Sequence, residues 1–389
     1  MITQDWIAEE DLQTVLGFLN SDHEQGFLVG GCVRNALMGL SISDIDIATS
    51  CDPKTVCLKA KAAGFTVIPT GIDHGTVTIL SRSGPLEITT FRQDVETDGR
   101  HAKVAFTDNI AQDASRRDFT MNAIYCAANG KVVDPLSGMH DLTNGHVRFI
   151  GDPYERIRED HLRILRFFRF TAIYGNPDNG IDPEGLAACS ELQDGLDAIS
   201  KERIGSEFMK LLGARDPAPA VMAMSQAGIL GRILPGSDAR FLSLLVHFET
   251  GFAHDPIRRL AILGETDQTK NLRLSNKQTR YLDVLKNDFD PSGKRTAFEH
   301  GVNAGLGAAL ISATYSETPV ANDIERTLQI AADAVFPISS DVLMQYVKGP
   351  ALGRALSDLK SEWVSSDFTA SSEHLLQIFL DRNQKSHYD

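Results

Sequence analysis

The chain has no apolar run of about twenty residues, so nothing in it reads as a membrane-crossing helix. Cysteine is scarce. The five present (Cys32, Cys51, Cys57, Cys126 and Cys189) are odd in number and show no C-x-x-C spacing, which argues against a disulfide framework and a thiolate metal site. The opening segment, MITQDWIAEEDLQ, lacks the basic flank and apolar stretch of a signal peptide, and a cytoplasmic location is expected. Internal repeats and low-complexity tracts are missing too. So is a basic excess: 38 Lys and Arg against 52 Asp and Glu leave a net charge of −14. That argues against non-specific coating of nucleic acid, but a local basic groove can still bind phosphate.

What is present is ordinary for a globular protein. The chain has 389 residues, 42% hydrophobic and 23% charged, enough for about two to four domains with sizeable cores. The first third mixes strand-like and helical runs. Strands are expected at 27–29, 45–48, 65–68, 76–81 and 86–91, and helices at 33–38 and, behind Pro53, at 54–63. This spacing suggests a small, twisted, mostly antiparallel sheet with helices on one side. Residues 93–103 are polar, carry a Gly and have no apolar period; they read as a flexible loop. A further strand is expected at 131–133. From about Tyr154 onward the pattern is helical, punctuated by Pro/Gly/Asp clusters at 175–183, 213–219, 234–238 and 288–293. The expected class is α+β: a sheet domain at 1–150, then an all-helical remainder.

The chemistry gathers in a few segments. Gly30-Gly31-Cys32-Val33-Arg34 is followed by Asp44-Ile45-Asp46. A Gly-Gly turn lets backbone N–H groups approach a phosphate, and Asp44 and Asp46, two apart on a strand, share one face. Two like charges held together are a poor structural choice but suit Mg²⁺, a hard cation that takes oxygen ligands. A bare D-x-D is common and by itself reads as a solvated strand end. Combined with the Gly-Gly turn and Arg34, it reads as a nucleotidyl-transfer site. Glu87, on the strand at 86–91, is a candidate third acid or an ordinary strand carboxylate.

Arg116-Arg117-Asp118-Phe119-Thr120-Met121-Asn122 offers two arginines and an amide on a short turn, able to bind a triphosphate or a ribose hydroxyl, or simply to be solvated. Downstream, Ile157, His161, Ile164 and Phe168 form an apolar stripe at helical spacing. Asp160, Arg163, Arg166 and Arg169 step by three around the other side, so Asp160 and Arg163 are expected to be neighbours on one exposed helix face. Such a pair can mimic a Watson–Crick edge, or can be an intrahelical salt bridge. Glu202 and Glu207 open a later helix and are candidates for fixing the arginine helix. His254-Asp255 lacks the further ligands a metal site requires.

In this order, the segments resemble the class II tRNA nucleotidyltransferases, the bacterial CCA-adding enzymes of the DNA polymerase β superfamily. The resemblance rests on Gly30-Gly31-x-Val33-Arg34 with Asp44-x-Asp46, Arg116 to Ala123, Gly138-x-x-Asp141-Leu142 with Arg148, Glu159-Asp160-x-x-Arg163-x-x-Arg166-x-x-Arg169-Phe170, and Glu202-Arg203-Ile204-x-x-Glu207. It implies a head at 1–150, a helical neck at 151–215, and a tRNA-binding body and tail at 216–389. It also implies two Mg²⁺ ions at Asp44 and Asp46, with Gly31, Arg34, Arg117, Arg166 and Arg169 contacting CTP or ATP. Asp160 and Arg163 would pair with the incoming base, and Arg116 and Asn122 would assist. The loop Asp98-Gly99-Arg100-His101 resembles one required for adding the terminal A. The expected activity is addition of C, C and A to the tRNA 3′ end with release of pyrophosphate. A poly(A) polymerase, a partial CC- or A-adding enzyme, or a non-catalytic tRNA-binding protein remain alternatives at this point, as do a monomer and a homodimer. One departure stands out: position 35, usually Asp in the family, is Asn35.

Overall fold

The computed structural model describes residues 1–21, 23–98, 101–264, 267–287 and 290–385, and the chain forms two compact units. The first takes residues 1–236 with 270–273, the second 237–269 with 274–389. Among the described residues no helix is long and apolar enough to cross a membrane.

The first unit is built on nine strands: β1 Gly26–Val29, β2 Ile45–Thr49, β3 Thr66–Gly71, β4 Thr76–Ser81, β5 Gly84–Thr90, β6 Arg92–Asp98, β7 His101–Phe106, β8 Tyr125–Cys126 and β9 Val132–Val133. Seven of them form one sheet in the order β3-β4-β5-β2-β1-β8-β9; β6 and β7 pair separately. All neighbours in the large sheet are antiparallel except β2 and β5. The antiparallel expectation thus holds with one parallel pair at the centre. The polar segment 93–103 differs from the expected loop: its backbone pairs as an antiparallel hairpin from Arg92↔Phe106 to Asp98↔His101. Within the segment read as the A-adding loop, Gly99 and Arg100 lie outside the described residues.

One face of the large sheet is covered by α1 Glu10–Leu19 and α3 Pro53–Ala62, with Leu12, Leu16, Val56 and Ala60 essentially inaccessible. α3 starts where expected, because the Asp52 carboxylate accepts the Lys54 and Thr55 N–H groups ahead of Pro53. Between α1 and α3 in the chain lies α2 Gly31–Leu37, which follows β1 directly. On the other face, Val29, Ala48, Phe91 and Tyr125 pack with Ala114 of α4 Ile110–Ser115. Fully burying side chains of this size stabilises by about 1.5–3 kcal/mol each.

The helices that follow are α5 Gly138–Asn144, α6 Pro153–Glu159, α7 Leu162–Tyr174, α8 Pro183–Glu191 and α9 Lys201–Leu212, then Ala218–Gln226 and Ile229–Ile233. The single helix expected through Asp160 is in fact two. Asp160 leaves helical geometry (φ −154, ψ 105), and its carboxylate accepts the Leu162 N–H at 3.1 Å, capping a new helix. Ile157, Ile164 and Phe168 are all buried as expected, but from two helices, and His161 is only half-buried. α7 is joined to the sheet domain by an aromatic cluster: Phe119 lies 4.9 Å from both Phe149 and Phe170, and Phe149 lies 5.4 Å from Phe167.

The second unit is helical. Its helix Val302–Ser316 is buried along most of its length, and Trp363 packs edge-on against Phe298, Phe336 and Phe368 at 5.0–5.5 Å. Glu249 accepts from both Arg258 and Arg259 at 2.6 and 2.7 Å in the interior. His254-Asp255 is no ligand pair: Asp255 caps Pro256–Ala261 and accepts the Tyr281 hydroxyl at 2.6 Å.

Candidate active site

The register of the sheet brings the sequence motifs together. Val29 pairs with Asp46 across β1 and β2, so the Gly30-Gly31 turn leaves β1 directly beside that carboxylate. Gly30 sits at φ +73, a conformation that side chains disfavour. A Cβ there would lie 3.8 Å from Asp46 Oδ2 and 3.9 Å from Arg117 Nη1, so the turn, the acid and the arginine converge. Asp46 also pairs in register with Glu87 on β5. Burial pushes the Asp46 carboxyl up to about 6, and the Glu87 and Asp44 charges act in the same direction, against Arg117. Asp44 precedes β2, is exposed, and accepts the Ser43 hydroxyl at 2.9 Å.

The cleft at this point has a volume of about 550 Å³. It is lined by Gly30, Gly31, Arg34, Asp44, Asp46, Arg116, Arg117, Asp118, Asn122, Asp160, Leu162, Arg163, Arg166, Arg169, Phe170 and Arg203. Glu87, Glu202 and Glu207 do not line it. Among the described residues no group of three or more His, Cys, Asp and Glu forms a metal cage by itself. An Asp pair open to a cleft fits a cation that completes its shell with substrate phosphates, as Mg²⁺ does. Burial is the main cause of the raised Asp46 carboxyl, the charges of Glu87 and Asp44 add to it, and a divalent cation would oppose both.

The arginines are held by carboxylates, several of which the sequence reading did not single out. Asp113, 1% exposed in its side chain, accepts from Arg116 Nε and Arg117 Nη2, both at 2.9 Å, and from the Tyr125 hydroxyl at 2.8 Å. Burial alone would raise its carboxyl; Arg117 and Arg116 outweigh that and hold it below the usual range. Asp118 accepts from Arg166 Nε at 2.8 Å, from the Asn122 amide at 2.8 Å and from the Phe119 N–H at 2.9 Å. Asp118 and Asp113 flank the two arginines of a charged turn, and that flanking was the signal available in the sequence.

Arg34, expected beside the turn as a contact to the nucleotide, is 6% exposed. It stacks 4.1 Å from the Tyr174 ring and donates to the Tyr174 hydroxyl at 2.7 Å, to Asn35 at 3.0 Å and to Asn122. Asn35 also donates to the Ser41 carbonyl at 2.9 Å, which a carboxylate at this position could not do.

Asp160 and Arg163 both line the cleft but do not share a helix face, because the chain breaks between them. Asp160 Oδ2 accepts from Arg203 at 2.7 Å. Arg163 donates to the Arg156 carbonyl at 2.8 Å and the Arg116 carbonyl at 3.1 Å, and pairs with Glu159. Glu207 lies 2.6 Å from Arg169, as expected of a residue fixing the arginine helix. Glu202 does not share that role: it is exposed and faces Arg273 at 3.5 Å.

A sheet of this topology with paired carboxylates beside a Gly-Gly turn defines a nucleotidyltransferase head, and the comparisons agree. Residues 26–148 match the Poly A polymerase head domain, and residues 180–241 match the probable RNA and SrmB-binding site of polymerase A. The CCA-adding enzyme of Lacticaseibacillus paracasei is 30% identical over 97% of this chain and 98% of its own. The human mitochondrial CCA tRNA nucleotidyltransferase 1 is 43% identical over 50% of this chain; there the chain spans about half the relative's length, 45%. The crystal structure of the Bacillus stearothermophilus CCA-adding enzyme in complex with CTP superposes with a TM-score of 0.74 at 25% identity, covering 98% of this chain and 99% of that one. The chain belongs to the CCA-adding enzyme family.

Proposed function

We propose that this chain is a CCA tRNA nucleotidyltransferase, adding C, C and A to the tRNA 3′ end from CTP and ATP with release of pyrophosphate. The observation that carries the reading is the pairing Val29↔Asp46, which sets a phosphate-sized turn against a carboxylate pair in the cleft that Asp160 and Arg163 also line. Kinship with CCA-adding enzymes along nearly the whole chain supports it.

Asp44 and Asp46 would hold Mg²⁺, two ions in this reading, which when bound lowers the pKa of the attacking 3′-hydroxyl and neutralises charge on the triphosphate. The Gly30-Gly31 backbone, Arg117, Arg166 and Arg169 orient the triphosphate, so that most of the catalysis is positioning and electrostatics. Arg34, beside the turn, adds a cationic contact to the nucleotide's phosphates. Asp160, an acceptor when ionised, takes the exocyclic amino group shared by cytosine and adenine, and Arg163 donates to the adjacent acceptor. Glu87 adds negative charge beside Asp46, while Arg116, Asn122 and Glu207 keep the arginines in place. In this reading 1–150 is the catalytic head, 151–215 the neck, and 216–389 a body and tail that hold tRNA through its phosphates. The hairpin carrying Asp98 and His101 serves the final A. The protein works in the cytoplasm.

The test supplies tRNA ending before CCA, before A, or complete, with CTP, ATP or both and Mg²⁺, followed by sequencing of 3′ ends. CCA followed by a stop is expected. Unlimited A-tails would identify a poly(A) polymerase, and no incorporation would favour a tRNA-binding protein without activity.

A further inference from the structure

Arg203 lies in the first turn of α9, more than forty residues beyond Asp160 in the chain, yet lines the same cleft. It supplies one of two hydrogen bonds that fix the Asp160 carboxylate. Oδ1 takes the Leu162 N–H at 3.1 Å, and Oδ2 takes Arg203 Nη2 at 2.7 Å. With one partner on each oxygen, the plane of the carboxylate is set. An ionised carboxylate has about four acceptor positions, so lone pairs remain for a base.

The helix that brings Arg203 is itself held in place. Gly205 approaches the 270–273 backbone so closely that a Cβ would fall 2.0 Å from the Leu272 carbonyl oxygen. One turn beyond Arg203, Glu207 forms an ion pair with Arg169 at 2.6 Å. Residues at i and i+4 share a helix face, so one face of α9 presents a cation to Asp160 and an anion to Arg169.

We infer that Arg203 is a positioning residue for nucleotide choice, holding the Asp160 carboxylate in one orientation so that it accepts the amino groups of cytosine and adenine and refuses the carbonyl oxygens of uracil and guanine. The inference rests on the base-reading role proposed above for Asp160. Cytosine N4 and adenine N6 are donors where uracil O4 and guanine O6 are acceptors. A carboxylate whose plane is fixed, so that its free lone pairs face the base, discriminates between them. Freed of Arg203 it keeps the Leu162 N–H on one oxygen, and the carboxylate can rotate away from the base edge.

The experiment uses the full chain with Arg203→Ala, Arg203→Gln and Arg203→Lys, and tRNA ending before CCA. It measures kcat/KM for CTP and UTP separately and tRNA affinity in parallel. Loss of one charge-assisted hydrogen bond should lower the CTP-to-UTP ratio by about tenfold or more in Arg203→Ala. Arg203→Lys, which keeps the charge, should restore most of the ratio. Because the ratio is taken within one variant, a merely damaged fold does not move it. Should Arg203→Ala fail to fold, the near-isosteric Arg203→Gln carries the same expectation. An unchanged ratio, or an equal fall for both nucleotides with Lys no better than Ala, would overturn the inference. Wild-type protein that adds neither C nor A would instead overturn the proposed function on which it rests.

Discussion

Replacing Asp113 by Ala tests whether a buried acid organises the two arginines of the 116–117 turn. Both carboxylate oxygens are used, by Arg116, Arg117 and the Tyr125 hydroxyl, at 2.8–2.9 Å. Truncation leaves two guanidinium groups, 16% and 18% exposed, side by side without that counter-charge. Removing one partner of a buried ion pair costs about 3–5 kcal/mol, because the remaining charge stays desolvated. Exposure below a fifth calls for little reduction through solvent screening, so we expect a loss of about 3 kcal/mol. Urea unfolding read through Trp6 measures it, in a Trp363→Phe background because Trp363 belongs to the other unit. Arg117 also loses its anchor beside Asp46, so KM for CTP should rise about tenfold, the loss of one charge-assisted hydrogen bond, while tRNA affinity holds. A stability loss below about 1 kcal/mol, the range of an exposed pair, would refute the assignment of Asp113 as the organising acid.

Asp46→Ala should abolish nucleotide transfer and leave urea stability within about 1 kcal/mol, since it removes a carboxyl set against other carboxyls; retained turnover would exclude the metal role. Gly30→Ala has room for its methyl but must hold φ +73, so a cost of about 1–2 kcal/mol is expected, with a raised KM for CTP because the turn narrows; an unchanged KM would remove the turn from phosphate binding. Burial tends to raise the Asp118 carboxyl, but Arg166 and Asn122 outweigh it and hold the group well below the usual range. Its stabilisation is therefore complete above the unfolded value of about 4 and is lost as pH falls further. Asp118→Asn should flatten the acid limb of the stability curve below about pH 4, and an acid limb as steep as wild type would exclude Asp118 as its source.

The chemistry of this chain was more legible than its architecture. Gly30-Gly31 and Asp44-x-Asp46 stood out because each is costly without a function. The strand Thr76–Ser81 was read to the residue, since its β-branched run is bounded by glycines. The pairing that joins the motifs was not readable, because ladder register is a non-local property with no mark in either strand. Residues 93–103 read as a loop, whereas their backbone belongs to a hairpin: the polar sequence carries no apolar alternation to detect. The break at Asp160 left a usable sign, an Asp two residues before an apolar run, which is a helix start. The arginine stripe across the break hid it. A basic helix suggests acids such as Glu202 as its partners, whereas the side chain that reaches the cleft is the neighbouring cation, Arg203.

Charge accounting within the cleft shows how an acidic protein can present a cationic site there. Seven arginines line it: Arg34, Arg116, Arg117, Arg163, Arg166, Arg169 and Arg203. Six of them meet a carboxylate: Asp113 for two, and Glu159, Asp118, Glu207 and Asp160 for one each. Arg34 is different. Its hydrogen-bond partners are the neutral Asn122, Asn35 and Tyr174, and burial pulls its pKa down. A buried cation whose hydrogen bonds are all to neutral groups remains costly. Two aromatic faces offset part of that cost, with Phe170 at 5.0 Å and Tyr174 at 4.1 Å. An anion in the cleft would offset more, and Arg34 Nη2 lies 3.8 Å from where a Gly31 side chain would begin, beside the phosphate-sized turn. The cation without a carboxylate partner among the described residues sits at one point, in the cleft that Asp44 and Asp46 also line, and that focus does not depend on the sign of the whole chain.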